Sequence, residues 1–201
     1  YEVLTGEVPI REATLPTMVP NLDIVPSTVD LSGAEAELVG LARRNFRLRD
    51  ALAVDETRLR HDDILIDCPP SLSLLTLNAL AASESVLVPL QCEFFALEGL
   101  SLLINTIERV QEHMNPDLEI EGIVLTMYDR RNKLSEQVEA DVRAALGPQV
   151  WQTVIPRNVR VSEAPSHGKP ALLYDHRCAG SAAYMALARE FLKRREEEKA
   201  A

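Results

Sequence analysis

The clearest regular pattern in the chain lies over residues 96–114. Leu97, Leu100, Ile104, Ile107 and Val110 recur at spacings of three and four, which places them on one face of a helix. Elsewhere the apolar residues come in short continuous runs, at 22–25, 63–68, 85–90, 120–127 and 150–155, and each predicts a strand. Helices are predicted between them: over 30–53 as one helix or two, capped by Asp30 or Ser32, and over 72–82, with Ser71 as a cap. Two more are expected over 135–146, ended by Gly147 and Pro148, and over 180–197. Residues 1–20, broken by Pro9, Pro16 and Pro20, predict loop with one short helix. Strands that do not alternate apolar with polar are covered on both faces. Alternating with helices, they predict a doubly wound α/β domain with a mostly parallel sheet and helices on both faces. The pattern predicts a single domain over 1–201 with a polar tail at 193–201.

Composition narrows this picture. The chain has 201 residues, 46% of them hydrophobic but only 4% aromatic, so the core must be built from Leu, Val, Ile and Ala. The net charge of −10 argues against a general polyanion binder, and any nucleic-acid contact needs a local basic patch. Two exist. Residues 129–133 carry Arg130, Arg131 and Lys133 against Asp129, and residues 156–177 carry Arg157, Arg160, Lys169 and Arg177 against Glu163 and Asp175. Cys68, Cys92 and Cys178 are widely spaced and odd in number, which predicts buried free thiols in a reducing compartment. His61, His113, His167 and His176 do not have metal-ligand spacing, and no stretch is apolar enough for a membrane span.

The segment DDILIDCPPSL, residues 62–72, carries the candidate chemistry. An apolar run that ends in Asp67 and is then broken by Pro69 and Pro70 places a carboxylate at the carboxyl end of a strand, where ligands bind in doubly wound folds. Two roles fit that position. Asp67 either holds Mg²⁺ through a water, as the last residue of a Walker B strand does, or caps the helix that follows.

The segments IDCPPS, ALEGL and IPRNVRVSEAPSHGKP, in this order, resemble the ParA/Soj family of chromosome and plasmid partitioning ATPases, within the MinD/ParA superfamily. The likeness runs from about residue 1 to 192 and implies a P-loop NTPase-type fold. It identifies Asp67 as the Walker B carboxylate. It puts Thr126, Met127, Pro156, Arg157 and Asn158 near the nucleotide, with Glu163 orienting the loop or a dimer face, and Arg131 and Arg160 on DNA. It further implies ATP and Mg²⁺ as cofactors, a homodimer, non-specific DNA binding, and hydrolysis stimulated by a ParB-type partner. It implies the cytoplasm, on the nucleoid, as the place of work. The mixed-charge tail has no apolar face and so differs from the membrane-binding tail of the MinD type.

The sequence also departs from the family. It contains no G-x-x-x-x-G-K-[ST], so the phosphate-binding loop, its lysines and the first strand are expected to be lacking, and Ile64–Ile66 to lie beside an unpaired edge. ATP hydrolysis by these residues alone is not expected, and a non-catalytic DNA- or partner-binding module is the alternative.

Overall fold

The computed structural model describes residues 1–54, 61–69 and 71–200. They form two compact units, one of Tyr1–Glu84 with Thr106–Leu118, the other of Ser85–Asn105 with Glu119–Ala201.

The first unit holds the short helices α1 (Glu2–Thr5), α2 (Ile10–Ala13), α3 (Ala34–Leu38), α4 (Arg47–Val54) and α5 (Leu74–Ala82), with an antiparallel pair β1 (Leu15–Pro16) and β2 (Asp23–Ile24). Leu4, Ala34 and Leu38 form one buried cluster in it, joined by Leu31, Leu48, Leu74 and Leu75. The pattern over 30–53 resolves into two helices, interrupted where Arg43 takes a left-handed φ of 55°. The expected caps differ. Thr28, not Asp30 or Ser32, caps the turn Val29–Ser32 by accepting from Asp30 N, and α5 starts after Ser73 with no side-chain cap bond.

Polar side chains close the helix ends. Arg47 donates from Nε to Leu4 O at 2.8 Å and from Nη2 to Thr5 O at 2.9 Å, which satisfies carbonyls at the end of α1. Asn115 Nδ2 does the same for α5, donating to Leu80 O and Ser83 O. Buried Asn78 accepts from Leu48 N at 3.2 Å and donates to Arg44 O at 2.8 Å, linking α5 to the start of α4.

The strand expected over 63–68 is absent. No strand forms over 61–69, and Leu65 is 88% exposed. A continuous apolar run becomes a buried strand only when neighbours satisfy its backbone and cover both faces. Among the described residues no strand lies paired beside this run. Cys68, expected to be buried, is exposed, and Pro70 lies outside the described residues.

The second unit is a parallel β-α-β arrangement. β3 (Ser85–Gln91) pairs with β4 (Glu119–Thr126), and α6 (Ala96–His113), which begins in this unit, joins them. After β4 come α7 (Lys133–Leu146), α8 (Val159–Glu163), α9 (Ala171–Tyr174) and α10 (Ala179–Ala200). Ile123 and Leu125 of β4 pack with Val88 and Leu90 of β3, Ala96 and Leu100 of α6, and Val138 and Val142 of α7. Val124 points the other way, into a cluster with Trp151, Ile155 and the α10 residues Ala183, Leu187 and Phe191. β4 is therefore covered on both faces, which is why its sequence does not alternate.

β3 behaves differently from the expectation. Val88 and Leu90 are buried while Leu87 and Pro89 are exposed, so its apolar run covers only one face within the unit. Pro89 is tolerated because N–H direction alternates along a strand. Cys92 N donates to Thr126 O of β4, so the Pro89 nitrogen faces the opposite edge and removes no bond to β4. In α6, Leu100, Ile107 and Val110 are buried as the periodicity requires, but Leu97 is exposed.

The strand expected over 150–155 exists only at its ends. Val150 bridges Ile123 and Pro156 bridges Tyr128, both in parallel. Between them Trp151 N donates to Ile123 O and Ile155 N to Leu125 O. Residues 152 and 153 bulge away, and Glu190 of α10 accepts from both backbone N–H groups at 2.8 Å. Burial pushes the Glu190 carboxyl up, but these hydrogen bonds outweigh it and hold the carboxyl below the usual range.

Candidate functional site

Two loops leave the carboxyl ends of neighbouring parallel chain segments in the second unit, the position where open α/β sheets place ligands. The first follows Thr126, and the second follows Ile155. Tyr128 N donates to Ile155 O at 3.2 Å, and Arg157 N returns a bond to Tyr128 O at 3.0 Å. This stitch brings Thr126, Met127, Pro156, Arg157 and Asn158 together at one strand end. Met127, 38% exposed, turns the chain there with a left-handed φ of 54°. That conformation is costly for a non-glycine residue and recurs at functional sites.

Asn158 caps α8. Its Oδ1 accepts from Arg160 N at 3.0 Å and from Val161 N at 3.3 Å. The side-chain oxygen is thus committed to the cap. The turn rests on α10 at Gly180, where an added Cβ would overlap Val161 Cγ2 and lie 3.1 Å from Asn158 Cβ. Gly180→Ala is therefore expected to displace the Asn158 turn and cost about 1–3 kcal/mol. Chemical denaturation, together with amide chemical shifts of residues 157–161, measures both effects.

Each of the two arginines selected from the sequence is held by carboxylates. Arg131 donates to Asp129 from Nε at 3.0 Å and from Nη2 at 2.8 Å, and Asp129 Oδ1 also accepts the Arg131 backbone N–H. These bonds hold the Asp129 carboxyl down at about 2. Arg160 Nη1 donates to Glu163 Oε2 at 2.9 Å, and its Nε lies 3.7 Å from Asp175 Oδ2. Tyr174 donates to the same Glu163 oxygen and stacks on His167, with ring centres 4.8 Å apart. Glu163 and His167 thus order this loop. Their neighbours Arg130, Lys133 and Arg157 are exposed and have no ion pair among the described residues.

The aspartate singled out by the sequence, Asp67, belongs to the first unit and is exposed. Among the described residues no three His, Cys, Asp or Glu side chains are grouped to hold a metal. A lone exposed carboxylate fits Mg²⁺ only in the mode that ion favours, one protein oxygen with the remaining positions filled by water and phosphate. Cys92 is buried in the second unit, which pushes its thiol up to about 11 and makes it inert. No helix among the described residues is long and apolar enough to cross a membrane.

The sequence reading missed two residues. Asp129 had a local signal, since an aspartate two residues before an arginine closes an Asx-type turn. Glu190 had none, because its partners are 37 and 38 residues away.

Comparison with known proteins places these features. A family described as "AAA domain" matches residues 1–120. The chromosome partitioning protein ParA of Caulobacter vibrioides is 60% identical over 200 residues, covering 100% of this chain and 75% of that protein. The sporulation initiation inhibitor protein Soj of Bacillus subtilis is 52% identical over 190 residues, covering 94% and 74%. Among solved structures, cobyrinic acid a,c-diamide synthase from Mycobacterium smegmatis superposes with a TM-score of 0.78 at 37% identity, covering 96% of this chain and 70% of that one. The cell division ATPase MinD of Pyrococcus furiosus gives 0.75 at 26% identity, covering 96% and 74%. The fold is thus the α/β P-loop NTPase type, with a parallel sheet between helices.

Proposed function

The chain belongs to the ParA/Soj family of chromosome-partitioning proteins, and from that membership we propose that it serves as a partitioning ATPase subunit that segregates DNA. In this reading Mg²⁺·ATP stabilises a homodimer, the dimer holds DNA without regard to sequence on the nucleoid, and a ParB-type partner triggers hydrolysis and release. A switch of this kind works because the nucleotide binds the dimeric state better than the monomer, and hydrolysis removes that difference.

The observation that carries the reading is the strand-end cluster formed by the 126–131 and 156–160 loops. Thr126, Met127, Pro156, Arg157 and Asn158 would border the base. Arg131 and Arg160 would face DNA phosphates together with Arg130, Lys133 and Arg157. Asp67 would hold Mg²⁺ through water. Bound ATP·Mg²⁺ supplies the transferable phosphoryl group and the charge neutralisation its transfer needs. These residues orient the base and hold one position of the metal's shell.

The 201 residues include no lysine-bearing glycine loop, so no hydrolysis is expected from them alone. A fluorescent-ATP titration with and without Mg²⁺, with Asp67→Ala as control, tests the site. Mg²⁺-dependent binding that Asp67→Ala abolishes supports the metal role. DNA retention that survives Asp67→Ala, with no nucleotide bound up to millimolar, favours the non-catalytic DNA- or partner-binding module instead.

A further inference from the structure

Arg131 and Arg160 share an arrangement that a bare basic patch would not need. Each guanidinium is engaged by a carboxylate from its own loop, Asp129 at two and Glu163 at three residues' distance, with Asp175 adding to the second. The Asp129–Arg131 pair is bidentate, the geometry guanidinium also uses for phosphate. A phosphate approaching Arg131 therefore meets a donor fork already filled by a negative group, and one approaching Arg160 meets a guanidinium whose Nη1 already donates to Glu163 and whose Nε faces Asp175. Both pairs are solvent-exposed, with Arg131 at 89% and Arg160 at 56% side-chain exposure. Such pairs are weak and screened by salt, so a phosphate can displace them. Arg130 and Lys133 have no ion pair among the described residues, and Arg157 lies close enough to Asp129 to feel its charge without pairing with it.

We infer that Asp129 and Glu163 are affinity-setting residues for nucleic acid: they compete with backbone phosphates for Arg131 and Arg160 and keep DNA binding weak and readily reversible. This rests on the reading of the two arginines as phosphate contacts and adds the groups that restrain them. Asp129 has a reason to be present beyond this competition, since its Oδ1 also accepts the Arg131 N–H and shapes the turn. An asparagine keeps that acceptor and removes only the charge. Likewise a glutamine at 163 still accepts from Tyr174.

The test is fluorescence anisotropy of a short labelled duplex of arbitrary sequence, titrated with the full chain at several salt concentrations. Asp129→Asn and Glu163→Gln are each expected to tighten binding several-fold at low salt. Each should also steepen the log K against log salt slope by about 0.9, the value of one additional phosphate contact. The gain from Asp129→Asn must vanish in the Asp129→Asn, Arg131→Ala double variant. Asp117→Asn, at an exposed carboxylate with no ion pair, controls for the loss of one negative charge. An equal gain there overturns the proposal. If Arg131→Ala weakens binding while Asp129→Asn changes neither affinity nor slope, the competition is refuted and the arginine reading stands. If neither variant has any effect, both are refuted.

Discussion

Trp151→Ala is expected to destabilise the chain by about 3–5 kcal/mol, the usual cost of emptying a buried indole site. Trp151 is fully buried against Val124, Ile155, Leu187 and Phe191, and its Nε1 donates to Glu121 O at 3.2 Å. The site exists because β4 bulges there. Val86 opposes Ile120, but Leu87 opposes Gly122, so Glu121 is skipped in the register. Gly122 faces the indole so closely that a Cβ would overlap it. Truncation leaves a cavity walled by a strand and a helix that cannot both collapse into it, and it strands the Glu121 carbonyl. Urea unfolding followed by far-UV circular dichroism measures the loss. Tryptophan fluorescence cannot be used on the variant, because Trp151 is the sole tryptophan. A loss below about 1 kcal/mol would mean that the α10 contacts contribute little to this core. Since residues 151–155 lead directly into the Pro156–Asn158 loop, the same variant is expected to loosen the candidate base site.

Asn78→Ala is the second large effect, on the order of 2–4 kcal/mol, because it removes a buried side chain and leaves the Leu48 N–H and the Arg44 carbonyl without their partner in a part-buried setting. Leu48 N belongs to the first turn of α4, where helical N–H groups have no partner within the helix. Asn78 therefore caps α4 from another helix. Asn78→Asp separates the two contributions, since it keeps the acceptor for Leu48 N and loses the donor to Arg44. Thermal unfolding of the three proteins is expected to rank wild type above both variants. Equal midpoints for wild type and Asn78→Ala would show that water replaces the amide.

How much could be read in advance varied from element to element. The α6 periodicity and the unbroken apolar run of β4 were legible because each reports burial along the element itself. Asn78 carried a visible signal, a lone amide in LLTLNALAA. The candidate base loop was legible as a motif, and the Tyr128–Arg157 bonds that join it to Thr126 follow from two adjacent parallel segments ending together. The resemblance singled out Arg131 and Arg160, but how far neighbouring carboxylates occupy their guanidiniums could not be read. That depends on whether Asp129, Glu163 and Asp175 reach them.

The apolar run Ile64–Ile66 marks the boundary most sharply. Its composition is that of a buried strand, yet a strand is a relation between chains, and without a paired neighbour its backbone bonds and side-chain cover have no source. The same reasoning explains residues 151–155, where β4 supplies a ladder only at the ends and Glu190 satisfies the bulge between them. Local periodicity and the family's motifs belong to the sequence, because helix and strand faces repeat within a few residues. Which runs become strands, which carboxylates hold the arginines and which side chain caps a distant helix were decided by tertiary structure. The strands and the distant cap depend on partners tens of residues away, whose approach no local pattern encodes, and the arginine pairs depend on how each loop folds its own carboxylate back onto the guanidinium.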